Sequence, residues 1–108
     1  MTQVIKMEKN KNLTIEETYE LAVKNHLENK IETATNLYRQ VLKANPNHSK
    51  AHNNLGVSFL TLMEPQKAKE CYEKAIELDP GFAAAHNNLG TIFKDLKEYQ
   101  KAKKCYEK

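Results

Sequence analysis

Two pairs of adjacent asparagines, Asn53-Asn54 and Asn87-Asn88, stand in identical surroundings. The hexapeptide AHNNLG fills residues 51–56 and returns at 85–90, 34 residues later. A carboxamide carries one acceptor oxygen and two N–H donors. It can bond both the C=O and the N–H of an extended peptide, whatever side chains that peptide bears. Duplicate amides at a fixed period therefore have two readings. They contact a partner's main chain, or they are solvated and bonded within the fold.

The elements that carry these amides are repeats. Residues 51–74, AHNNLGVSFLTLMEPQKAKECYEK, align with 85–108, AHNNLGTIFKDLKEYQKAKKCYEK, and 17 of the 24 positions are identical. A more diverged copy precedes them, with Leu21, Ala34, Tyr38 and Pro46 lying 34 residues before Leu55, Ala68, Tyr72 and Pro80. The units run at about 15–48, 49–82 and 83–108, the last cut short, behind a polar and basic tail over 1–12. Within the second unit, Leu55, Phe59 and Leu62 mark one helical stripe, and Ala68, Cys71, Tyr72, Ala75 and Ile76 a second. Thr14 to Glu17 reads as a capping box that opens the first helix. Pro65 suits a first helical position. Asn45-Pro46 and Pro80-Gly81 read as helix stops, the glycine by accepting left-handed geometry. No stretch alternates as a strand does.

The pattern His52-x-x-Leu55-Gly56-x-x-Phe59, Ala68-x-x-x-Tyr72, Pro80, repeated with His86, Leu89, Gly90, Phe93, Ala102 and Tyr106, resembles the tetratricopeptide repeat. That resemblance spans residues 15–108. It implies an all-α fold, a right-handed solenoid of antiparallel helix hairpins with about three repeats. Small Gly56 and Gly90 are expected to meet Ala68 and Ala102 of the facing helix. Tyrosines and phenylalanines are expected to fill the gaps between units.

The resemblance further implies a concave groove lined by the first helix of each unit. Its positions here are Glu16, Tyr19, Glu20, Val23, His26 and Leu27; then Lys50, Asn53, Asn54, Val57, Leu60 and Thr61; then Ala84, Asn87, Asn88, Thr91, Lys94 and Asp95. Asn54 and Asn88 share one register, similar to the asparagine ladder in the repeat array of O-linked N-acetylglucosamine transferase. They are the leading candidates for peptide main-chain contacts, flanked by Asn53, Asn87, Lys50 and Lys94. A carboxylate clamp, as in chaperone-binding repeats, would fall on Tyr19, Val23, Asn54, Ala84 and Asn88. Only Asn54 matches, and without cationic donors little would hold a carboxylate.

Other chemistry finds little footing. His52 and His86 are one repeat apart, and packed helices lie about 8–10 Å apart. Zinc ligands must meet one ion at about 2.0–2.1 Å, so a packing role is expected for both. The same spacing disfavours a Cys71–Cys105 disulfide. No nucleophile–base pair, phosphate-cradling loop or acid/base pair is evident, so no enzyme, cofactor or metal is expected. The net charge is only +3, and the lysines of the second helices alternate with glutamates, as in Glu70 with Lys74 at i,i+4. Nucleic-acid binding is therefore disfavoured. No apolar run approaches the roughly 20 residues of a membrane span, and the N-terminus lacks a secretory core. With two cysteines whose spacing suits neither a zinc site nor a disulfide framework, a reducing cytoplasm is expected.

The leading expectation is an interaction module for a partner protein or peptide. The alternatives are a structural spacer, an oligomerisation segment, or the N-terminal arm of an enzyme such as a glycosyl- or sulfotransferase. The third unit stops before its matching alanine and proline, so the chain reads as a piece of a longer protein with an apolar face bare at its end. Self-association through that unit is expected at high concentration. Light scattering near millimolar protein checks it: the mean mass rises with concentration, and a constant monomer mass would contradict the expectation.

Overall fold

Thr14 opens the first helix as its spacing predicts. Its hydroxyl accepts the Glu17 N–H at 3.0 Å, and the Glu17 carboxylate accepts the Thr14 N–H at 2.9 Å. Both halves of the box are made, a stabilisation of about 1 kcal/mol. The computed structural model describes residues 13–95 and 104–106. Its helices are α1 (Ile15–Leu27), α2 (Ile31–Ala44), α3 (Ser49–Thr61), α4 (Pro65–Leu78) and α5 (Ala83–Asp95), and 104–106 are helical too. No strand occurs among the described residues. The expected tail over 1–12 and most of the third unit's second helix lie outside them.

Each helix packs on the next in the chain, α1 on α2, α2 on α3, α3 on α4 and α4 on α5. This is the arrangement of stacked hairpins. Pro65 takes the first turn of α4 as expected. The turns differ from expectation at one point. Gly81 is not in the left-handed region; Asn29 and Met63 are, at φ 64° and 65°. They occupy equivalent places inside the first two hairpins, and each closes a paired cap. Lys30 N–H reaches Asn25 C=O and Asn29 N–H reaches His26 C=O, while Glu64 and Met63 repeat those bonds to Phe59 and Leu60. That motif demands a left-handed residue just past the helix. Asn tolerates it, whereas Met63 incurs roughly 1–2 kcal/mol.

The histidines hold the turns between units. His52 Nε2 bonds the Pro46 carbonyl at 2.9 Å, and His86 Nε2 bonds the Pro80 carbonyl at 2.8 Å. Each clamps the start of one unit to the end of the previous one, which is the packing role expected of them. His48 caps α3, its Nδ1 accepting the Ala51 N–H at 3.1 Å.

The glycines meet tyrosine rather than alanine, a correction to the sequence reading. A Cβ on Gly56 would lie 2.6 Å from Tyr72 Cε1, and one on Gly90 would lie 2.8 Å from Tyr106 Cε1. Alanine still lines the hairpin, since Ala34 and Ala68 are fully buried. The close approach itself, however, is backbone against ring. In the first hairpin Ala22 stands at the position equivalent to Gly56, and Tyr38 at that of Tyr72.

The three equivalent tyrosines end differently. The Tyr38 hydroxyl and His26 Nδ1 share a hydrogen bond of 3.1 Å, whose donor is set by the His26 tautomer, and burial lowers the His26 pKa. The Tyr106 hydroxyl lies 3.3 Å from Thr91 Oγ1. The Tyr72 hydroxyl is buried with no hydrogen-bond partner among the described residues. Val57 and Leu60 stand where Thr91 and His26 stand in the other units.

The lysines of α4 pair locally: Lys67 with Glu64 at 3.0 Å, Lys69 with Glu73 at 3.7 Å and Lys74 with Glu77 at 3.2 Å. The Glu70–Lys74 pair expected from spacing is not the one formed. Lys67 and Arg39 also cover the Phe59 ring, at 5.6 and 5.4 Å from its centroid.

The two glycines should respond differently to a methyl group. Ala is favoured over Gly in a helix by about 1 kcal/mol. Against that, Tyr72 is fully buried, and its ring can move only by disturbing the core. Gly56→Ala is expected to lower stability by about 1 kcal/mol, or roughly 4–8 °C in Tm. Gly90→Ala faces a ring that is 48% exposed and tethered only by the 3.3 Å contact with Thr91, so it should be neutral or stabilising. Thermal melts of both variants test the order.

Candidate functional site

Helical geometry puts residues at i, i+3, i+4 and i+7 on one face. On α1 that stripe is Glu16, Tyr19, Glu20 and Val23; on α3 it is Lys50, Asn53, Asn54 and Val57; on α5 it is Ala84, Asn87, Asn88 and Thr91. Hydrogen bonds join the stripes side by side. The Asn54 amide donates to the Tyr19 hydroxyl at 2.9 Å, and the Asn88 amide donates to Asn53 Oδ1 at 3.0 Å. Each bond runs 35 residues back, from the sixth position of one unit to the fifth position of the unit before. A 3.5 Å contact from Asn53 Nδ2 to Asn54 Oδ1 links the two, though it is long and contributes little.

Asn54 and Asn88 thus share one wall, half-buried, each giving one N–H to the fold. Each retains its second N–H. Asn88 Oδ1 accepts no hydrogen bond among the described residues, and Asn54 Oδ1 has only the long contact. Asn53 is 6% exposed and both ends of its amide are engaged, so it braces the wall. Asn87 is exposed, and its side chain makes no hydrogen bond among the described residues. Lys50, in the first turn of α3, and Lys94, in the last turn of α5, are exposed at opposite lips. The structure therefore brings Asn53, Asn54 and Asn88 together and sets Asn87, Lys50 and Lys94 around them.

Tyr19 belongs to this wall as its first acceptor. The signal was present in the sequence, since Tyr19 sits 34 residues before Asn53. His48 stacks on Tyr19 at 4.8 Å between ring centroids, with its Nε2 3.5 Å from Glu16 Oε2. Burial raises the Tyr19 pKa; the Asn54 hydrogen bond opposes this and Glu16 adds to it. Burial, with Tyr19 nearby, pushes Tyr38 up to about 12, and Asn54 partly offsets it.

Elsewhere, an apolar cleft of about 350 Å³ lies between α2, α3 and α4, over Leu42, Leu55, Phe59 and Cys71. Burial pushes the Cys71 thiol up to about 11, mainly uncharged and a poor nucleophile at neutral pH. Among the described residues no three His, Cys, Asp or Glu side chains gather to hold a metal. No described helix is long and apolar enough to cross a membrane.

Two matches to models of the tetratricopeptide repeat cover residues 49–82 and 71–104, together just over half of the chain. The chain belongs to the tetratricopeptide repeat family. Two crystal structures of MamA are 26% identical to this repeat protein, with TM-scores of 0.83 and 0.80. Each alignment covers 87% of this chain but 55% and 51% of the MamA chains, so the chain spans about half their length. A structure titled "Second TPR of Spaghetti (RPAP3) bound to HSP90 peptide SRMEEVD" is 22% identical, with a TM-score of 0.82 over 94% of both chains. No curated protein matches the chain.

The buried tyrosines give this repeat protein an alkaline limit. Exposed tyrosine ionises near pH 10, and Tyr38 only near 12. The folded pKa lies above the unfolded one, so the tyrosines' contribution is intact below about pH 10 and is lost as pH rises toward 12. Helicity followed by circular dichroism in denaturant should show stability falling across that window. Tyr72→Phe, which removes a buried hydroxyl without a partner, should raise stability at neutral pH by about 1 kcal/mol. Tyr38→Phe should lower it by a similar amount.

Proposed function

We propose that this chain is a protein–protein interaction module that binds an extended peptide of a partner along the wall formed by α1, α3 and α5. Asn54 and Asn88 hold the peptide's main chain, with Asn87, Lys50 and Lys94 as flanking donors. The observation that carries this reading is the matched pair of half-buried amides, in one register, each with hydrogen-bonding capacity left after bracing the wall. Their inter-unit bonds fix the side chains in place, so little rotamer freedom remains to be lost on binding.

The family supports the reading, and so does the relative whose structure holds the peptide SRMEEVD over a domain of the same extent. Tyr19, Val23, Ala84 and Asn88 supply none of the cations a terminal carboxylate needs, so an internal stretch of chain is the better ligand.

A peptide-array screen tests the proposal. Loss of two main-chain hydrogen bonds is worth about tenfold or more in affinity. Asn54→Ala/Asn88→Ala should therefore lose most signals that the wild type gives, with its helicity retained by circular dichroism. Equal, weak signals from both proteins would overturn the proposal in favour of a structural spacer.

A further inference from the structure

The charges on the wall are distributed unevenly, and this indicates what kind of peptide it takes. Glu16 and Glu20 project from the α1 stripe, both exposed, beside the Tyr19 ring. Lys50 projects from α3 and Lys94 from α5, also exposed. Glu20, Lys50 and Lys94 make no ion pair among the described residues, whereas Lys67, Lys69 and Lys74 on the second helix α4 each have a carboxylate within 4 Å. Between the charged ends lie half-buried Val23, Val57 and Leu60. Glu20 stands where the other two units have Asn54 and Asn88. A carboxylate accepts hydrogen bonds but donates none, so the first unit lacks the amide's dual contact and offers a negative charge instead.

Resting on the groove reading above, we propose that this wall selects a bipolar segment: a lysine or arginine over α1, apolar side chains over Val57 and Leu60, and an aspartate or glutamate toward Lys94 at the far lip, with Lys50 the nearer cation on α3. The cation meets Glu16 and Glu20, with the Tyr19 ring as an aromatic neighbour. Helix spacing sets the register. A step of about 10 Å from one first helix to the next, the wide end of the packed-helix range, is set against about 3.3 Å per residue of extended chain. The two opposite charges of the ligand therefore lie about three residues apart for contact with α3, and about six for α5. Solvent-exposed ion pairs are individually weak, so the charges select among peptides while the amides and apolar contacts hold them.

Fluorescein-labelled nonapeptides with a central leucine test this. They carry Lys and Glu six residues apart in either order, or Lys/Lys, Glu/Glu or Gln/Gln at the same places. Fluorescence polarisation at roughly 20 mM salt should show one bipolar order binding about tenfold more tightly than Gln/Gln, an advantage that fades near 0.5 M salt. Glu16→Lys/Glu20→Lys should shift the preference to Glu/Glu, and Lys50→Glu/Lys94→Glu should shift it to Lys/Lys. If Gln/Gln binds as tightly as the bipolar peptides, and Asn54→Ala/Asn88→Ala still weakens both, the charge selection is overturned and the groove reading stands. If no peptide binds the wild type, both fall.

Discussion

The Tyr72 ring lies against the bare backbone of Gly56 and has no exposed surface. That contact sets how closely α3 and α4 approach, and the hairpin's crossing follows from it. The wall's register in turn depends on the crossing. An amide on α3 reaches a hydroxyl on α1 only if both hairpins present their first helices at one height. The histidine clamps on Pro46 and Pro80 fix the second coordinate, the step from one unit to the next. Ring-on-glycine within a unit and imidazole-on-carbonyl between units together place duplicate side chains side by side.

The signals that were legible in the sequence were those with a local mechanism. The capping box at Thr14, Pro65 at a helix start and the apolar stripes of paired helices all depend on residues within a turn or two, and each appears in the structure. The period of 34 extended that legibility to the stack, because identical units must pack alike. What could not be read was the partner of each side chain when several were in reach. Gly56 had both Ala68 and Tyr72 opposite it. Lys74 had Glu70 and Glu77, and went to the latter. The left-handed site was placed at Gly81 on residue type alone, yet the hydrogen-bonding frame of the hairpin turn imposes it on Met63. Of the two readings of the amides, bonding within the fold is seen in part: one N–H of each bonds to a neighbouring unit, and the second N–H is left over.

This division explains why the wall combines polar and rigid character. A free asparagine on a helix surface samples several rotamers and competes with water. Here each amide is anchored 35 residues back, and the anchor, Tyr19 or Asn53, is itself packed. Preorganisation of this kind reduces the ordering cost of association. The same bonds tie α1 to α3 and α3 to α5, first helices that otherwise meet through side chains more than through close backbone.

Every close helix contact described above joins neighbours in the chain, with the amide bonds as the longest reach. A molecule built this way has no central keystone, and its cooperativity passes from one hairpin to the next. Folding can start at any hairpin and spread, at the speed that short-range contacts allow. Partial opening has natural stopping points at the turns after Ala44 and Leu78. A ligand lying across α1, α3 and α5 would bridge those joints and splice the units into one thermodynamic block.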